Sequence, residues 1–200
     1  MHRLFIGLPV PNDAATEITD WGCSVLSSKV GRIVSPNMLH LSIAFFAKAS
    51  AELRDQLTEH VRRMPVSKME VETDGIWLYR YGALALDINS NLGAPKKIPH
   101  LKDYRDFEWR QLLASHQIVS NPNDPLTEIF STQFDAGTHH ERGNRPHITF
   151  ARIFKEHRQT EFKLDPPVFR FEFKNFCLYE SLLGGGGSQY EIIAESALRS

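Results

Sequence analysis

The chain has only two cysteines in 200 residues, Cys23 and Cys177, far apart in sequence. That excludes a disulfide-stapled scaffold, and neither cysteine sits in a metal-binding spacing. The compartment expected from this usage is a reducing one, the cytoplasm. There is no surplus of either charge: 23 Lys and Arg face 24 Asp and Glu, a net charge of −1 with histidine neutral. A protein that coats long nucleic acid is normally far more basic, whereas an enzyme gripping one or two phosphates fits this balance. No apolar run approaches the roughly 18 residues that a membrane-spanning helix needs. The N-terminal MHRLFIGLPVP stops at Pro9 and Pro11 and reads as a first strand, not as a leader. What is present is ordinary for a globular chain, 42% hydrophobic and 24% charged, which rules out wholesale disorder. Its length suits one large domain or two small lobes sharing a core.

Arg3–Val10 is short, apolar and closed by proline, as a buried strand should be. Asp13 is placed to cap the next segment, where Ile18, Trp21 and Val25 recur at helical spacing until about Gly31. Pro36 and Asn37 then break the chain before the apolar run Leu39–Phe46. From Ala51, the residues Leu53, Leu57, Val61 and Met64 predict an amphipathic helix that Pro65 ends. Val71–Leu78 and Ala83–Ile88 read as strands around a Tyr81-Gly82 turn. Residues 89–124, with three prolines and a polar-aromatic run, read as an insertion carrying a short helix at Tyr104–Leu113. A further helix is expected over Leu126–Phe134, a polar loop over Gly137–Arg145, and strands over His147–Phe154, Val168–Tyr179 and Tyr190–Ala194. That order gives an α+β protein with antiparallel or mixed sheets, not a doubly wound parallel one.

Two of these strands open alike, as His40-Leu41-Ser42-Ile43 and His147-Ile148-Thr149-Phe150. In a strand, residues i and i+2 face the same way, so each imidazole shares a face with a hydroxyl. Two such pairs brought together are suited to phosphate. The hydroxyls donate to phosphoryl oxygens while one imidazole takes a proton and the other gives one. Other signals are weaker. His139-His140 and the basic pairs Lys96-Lys97 and Arg62-Arg63 read as solvated surface. Tyr79, Tyr81, Tyr104 and Trp109 are candidates for stacking a base, while Trp77, Phe45 and Phe171 are expected in the core.

Four segments in order, RLFIGLPVP, NMLHLSIAFF, RPHITFAR and LYESLLGGGGSQYEII, resemble the 2H phosphoesterases. The likeness is greatest to the RNA 2′,3′-cyclic phosphodiesterases historically called 2′-5′ RNA ligases. It implies a single bilobal domain over residues 1–200, with pseudo-two-fold symmetry, a central cleft lined by sheets, and helices outside. It also implies a monomer that opens 2′,3′-cyclic phosphate ends of RNA, or small cyclic nucleotides, to 2′-phosphates, with reverse 2′-5′ ligation accessible. His40 would be the proton donor and His147 the proton acceptor, with Ser42, Thr149 and Arg152 holding the phosphate and no metal or cofactor taking part. A 2′-5′ oligonucleotide phosphodiesterase and a non-catalytic binder of nucleotides or RNA ends are the alternatives. The chain departs from the family pattern in Ser42 for threonine, in Phe46-Ala47 for leucine-glycine, and in a long separation between the two histidines. Residues 184–188, GGGGS, also match an engineered linker.

Overall fold

The computed structural model describes residues 2–63, 66–67, 69–79, 81–89, 147–184 and 187–199. They belong to one compact unit formed by Met1–Leu92 with Pro146–Ser200. The expectations placed beyond Asn89 and before His147 (the insertion, both helices, the polar loop, the His139-His140 pair) lie outside the described residues.

One sheet of ten strands carries the unit. In chain order these are β1 (His2–Pro9), β2 (Gly31–Ile33), β3 (His40–Ala49), β4 (Val66–Ser67), β5 (Met69–Leu78), β6 (Ala83–Asn89), β7 (His147–Ile153), β8 (Arg170–Phe173), β9 (Asn175–Gly184) and β10 (Gly187–Arg199). Across the sheet the order is β4-β10-β9-β1-β3-β7-β6-β5-β8, with β2 also on β7. Every described pairing is antiparallel except β10 with β4. The two histidine strands β3 and β7 are adjacent at the centre, and the order outward from them is matched: β1 answers β6 and β9 answers β5. This is the α+β, pseudo-symmetric arrangement expected.

Helices α1 (Asn12–Val25) and α2 (Ala51–Arg63) cover the face opposite the histidines. α1 buries Ala14, Ala15, Ile18 and Gly22. A Cβ at Gly22 would come within 3.2 Å of both Ile33 and Phe150, so the missing side chain lets the helix lie close on β7. Trp21 packs beside Phe150, with ring centroids 5.2 Å apart. α2 buries Leu53, Leu57 and Val61 as its periodicity predicts, and Arg54 donates to Glu180 of β9 at 3.3 Å. Leu4, Ile6, Leu8, Leu84, Leu86, Ile148 and Leu178, all fully buried, fill the core between sheet and helices.

Three local readings change. The first helix starts at Asn12 after Pro11, and no side chain caps it. Asp13 instead lies in its first turn, where a carboxylate favours the positive end of the helix. The run Val168–Tyr179 is two strands, β8 on β5 and β9 on β1, because the chain crosses from one half of the sheet to the other between Phe173 and Asn175. Trp77 and Phe45 are not core: they stand 46% and 44% exposed. Both alternate onto the histidine face, Trp77 through its pairing with Ala85 and Phe45 through its pairing with Phe5.

Candidate active site

Leu41 and Ile148 are paired across β3 and β7, and both side chains are buried in the core. One step to either side, this antiparallel register sets His40 level with Thr149 and Ser42 level with His147. All four alternate to the opposite face. Each imidazole therefore lies across from the other motif's hydroxyl. His40, His147 and Thr149 are half-buried and Ser42 is exposed. The nearness of the parts is felt electrostatically, since both Arg152 and His147 act on the ionisation of His40.

Arg152 is five positions after His147, an odd spacing that in a regular strand would put it on the other face. The register of β7 with β6 corrects this. Ala85 pairs with Thr149 and Leu84 with Ala151, so Phe150 is an extra residue, a β-bulge, and Arg152 then pairs with Ala83. Ala83, Ala85 and Asp87 share a face, which places Arg152 beside the histidines and Phe150 in the core. β3 repeats the device: Gly7 pairs with Ser42 and Ile6 with Ala44, leaving Ile43 as the extra residue.

The chain entering β3 fixes the ring of His40. Pro36 starts a 3-10 turn, Pro36–Met38, and His40 Nδ1 donates to the Met38 carbonyl at 2.7 Å. The other ring nitrogen, Nε2, is thereby left to take or give a proton at the site. Phe5, Tyr179 and Tyr190 surround the imidazole, with centroids 4.8, 5.7 and 5.3 Å away. This desolvation lowers the His40 pKa below 6.5. The Met38 hydrogen bond opposes the shift, while the positive charges of Arg152 and His147 add to it. Gly7 is required beneath the ring: a Cβ there would meet the Leu41 carbonyl at 2.9 Å and His40 Cδ2 at 3.4 Å.

His147 has different company. Tyr79 packs on it at 4.3 Å between centroids, and its partner on β6 is Asp87, a buried carboxylate. Tyr79 is a stacking candidate already in the sequence. Asp87, Phe5, Tyr179 and Tyr190 carry no such signal, because only strand register reveals them. Tyr81 is 74% exposed in its turn. Arg62 and Arg63 pair with Glu59 on the exposed side of α2, at 3.2 and 3.1 Å, away from the site. Cys177 is buried, and burial pushes its thiol up to about 11, so it holds its proton at neutral pH. Among the described residues, no three His, Cys, Asp or Glu side chains cluster so as to hold a metal ion. No described helix is long and apolar enough to cross a membrane.

No family model and no curated protein matches the chain. Solved structures do match over almost its whole length. A phosphoesterase is 21% identical, with 100% of both chains covered and a TM-score of 0.65. LigT of E. coli, solved with NADP+, is 22% identical over 100% of this chain and 99% of its own, also at 0.65. TT0787 of Thermus thermophilus is 17% identical over 99% and 98%, at 0.68. The chain thus has the fold of E. coli LigT and of that phosphoesterase, the fold its four sequence segments imply.

Proposed function

We propose that the chain is a phosphodiesterase that opens 2′,3′-cyclic phosphate ends of RNA or nucleotides to 2′-phosphates by two-histidine acid–base catalysis. The observation that carries this reading is the Leu41–Ile148 register, which puts two imidazoles and two hydroxyls on one face in a reciprocal arrangement. The phosphate would sit between them, with Ser42 and Thr149 donating to its non-bridging oxygens. The Arg152 guanidinium would balance the charge that develops on them. In-line displacement needs a base and an acid on opposite sides of phosphorus, and a pseudo-two-fold pair supplies both.

His147 takes a proton from water as the water oxygen bonds to phosphorus. The bond from phosphorus to O3′ breaks, and His40 Nε2 gives its proton to O3′, leaving a 2′-phosphate and a 3′-hydroxyl. A 5′-hydroxyl in place of water gives a 2′-5′ linkage by the same proton transfers. In the free site, burial keeps His40 neutral at pH 7. The substrate's anionic phosphate supplies the charge that lets Nε2 carry its proton. LigT, whose fold this is, has been solved with phosphate, ATP and 3′-AMP, ligands that suit such a site.

Incubation with 2′,3′-cyclic AMP and with a short RNA ending in 2′,3′-cyclic phosphate, in EDTA, tests the proposal. Chromatography against 2′- and 3′-phosphate standards should show the 2′-phosphate. His40→Ala and His147→Ala should each slow its formation by roughly 10²–10⁴-fold. Loss of activity on chelation that added metal restores, or an active single-histidine variant, would refute the mechanism. Tight binding without turnover would favour a binding module, and turnover confined to 2′-5′ linked oligonucleotides the related diesterase.

A further inference from the structure

The face that carries the histidines is lined with aromatic rings, and the described ones differ in what lies against them. Phe5, Tyr179 and Tyr190 close around His40, and Phe5 and Tyr179 also stack on each other at 4.6 Å. Tyr79 packs on His147 at 4.3 Å between centroids, and Phe45 lies under the Arg3 guanidinium at 5.6 Å. Trp77 differs. It stands 46% exposed, and among the described residues no ring or cation packs on it. Leaving half an indole in water forgoes the burial that an aromatic side chain contributes, and a flat apolar ligand restores it.

Register fixes where the indole stands. Trp77 pairs with Ala85 on β6, and Ala85 pairs with Thr149 on β7, so the three side chains form one row on the histidine face. The same row runs on to His40, which the Leu41–Ile148 pairing sets level with Thr149. Neighbouring strands lie about 4.8 Å apart, so the backbone of Trp77 is about 10 Å across the sheet from that of Thr149. The side chain between them in the row is a methyl, that of Ala85. A ribose and its base, extending toward β5 from a phosphate held at Thr149, span this interval and bring the base over the indole. In the other direction the row meets His40, where the rings already face the imidazole and one another.

We propose that Trp77 is the platform on which the base of the terminal nucleotide stacks, so that the chain takes nucleotides and RNA ends of any base, purines in preference. The proposal rests on the phosphodiesterase reading above and deepens it. Stacking engages the π face that every base has and reads no hydrogen-bonding edge, and the larger purine face stacks more strongly.

Calorimetric titration with adenosine 2′-phosphate and with the 2-phosphate of methyl ribofuranoside, which lacks only the base, tests it without turnover. The unaltered chain should bind the nucleotide more tightly. Trp77→Ala should weaken nucleotide binding about tenfold and leave the two ligands nearly alike. Trp77→Phe should keep part of the preference, and Trp77→Leu should behave as the alanine variant if that variant does not fold. Uridine 2′-phosphate should bind less tightly than the adenosine compound, by a margin that Trp77→Ala removes. Equal losses for the nucleotide and the base-free phosphate, or a preference for the nucleotide that survives Trp77→Ala, would overturn the platform. Survival of that preference in Trp77→Ala but not in Phe45→Ala would place the base on the His40 side instead. Turnover of cyclic phosphate without Trp77-dependent discrimination would remove only the platform. A Trp77-dependent preference for the nucleotide without turnover would remove only the catalytic reading. Binding of neither ligand by the unaltered chain would remove both.

Discussion

His40 and His147 stand on strands that follow the same backbone plan but differ in their surroundings. In each, a histidine is followed two positions on by a hydroxyl and then by one bulged residue. Pro9 pairs with His40 where Asp87 pairs with His147, and Gly7 with Ser42 where Ala85 pairs with Thr149. One pair further, Phe5 faces Phe45 where Ala83 faces Arg152. Phe5 in turn pairs with Tyr179 and stacks on it at 4.6 Å, while Tyr79 N donates to the Ala83 carbonyl at 2.8 Å. The His40 side is therefore closed in by Phe5, Tyr179 and Tyr190, while the His147 side sets Tyr79 beside a carboxylate, Asp87, and a guanidinium, Arg152. A repeated backbone brings two imidazoles to one face, and their neighbours make the two surroundings unequal.

The largest break in that comparison is at Phe45 and Arg152, which occupy matching positions after the two bulges. If the guanidinium stabilises charge on the reacting phosphate, Arg152→Ala should lower kcat on a cyclic phosphate about 10²-fold. Phe45→Ala removes a ring that Arg3 covers at 5.6 Å and should cost less than tenfold. Equal effects in a steady-state assay would mean that the two positions do the same work, and the assignment of Arg152 would fall.

Gly7 and Ala85 give a smaller contrast. Gly7→Ala drives a methyl into the Leu41 carbonyl, a backbone atom that cannot swing aside, and overpacking of this kind costs about 1–3 kcal/mol. The matching position across the pseudo-symmetry already carries a methyl. Thermal unfolding of Gly7→Ala should show the loss, accompanied by a fall in kcat as His40 is displaced. An unchanged Tm and kcat would show that the strands relax around the added carbon.

Much of this is legible in the residues. Alternation is local, so the strands, the amphipathic α2 and the shared face of each histidine and its hydroxyl can be read directly. The bulges cannot, since Phe150 and Ile43 look like ordinary strand residues until a partner strand sets the count. That is why the five-residue spacing of Arg152 has no geometric meaning in the sequence alone. Trp77 and Phe45 depart from expectation for a related reason: size suggests the core, while register sends both rings to the face of the site. Asp87 carries no local signal because only its pairing with His147 brings it to the site, and β2, three residues long, has too little pattern to register as a strand.

The finest test of the two-sided site is pH. His40 ionises below 6.5, chiefly because Phe5, Tyr179 and Tyr190 help exclude water from it. Its depressed pKa stabilises the fold fully above 6.5. That stabilisation is lost as pH falls through the lowered value, since the unfolded chain takes the proton first. Tm should fall over that acid interval by more in the unaltered chain than in His40→Gln. If His40 exchanges a proton with the substrate as proposed, its ionisation also sets one limb of kcat/KM, which reports the free enzyme. With His40 as donor and His147 as acceptor, the profile should be bell-shaped, and one of its two limbs should report the lowered value of His40. Tyr190→Ala admits water to the ring, moves the His40 pKa up toward 6.5, and should carry that limb upward with it. If neither limb moves in Tyr190→Ala, or the profile is flat through neutrality, His40 is not one of the two groups that exchange protons with the substrate.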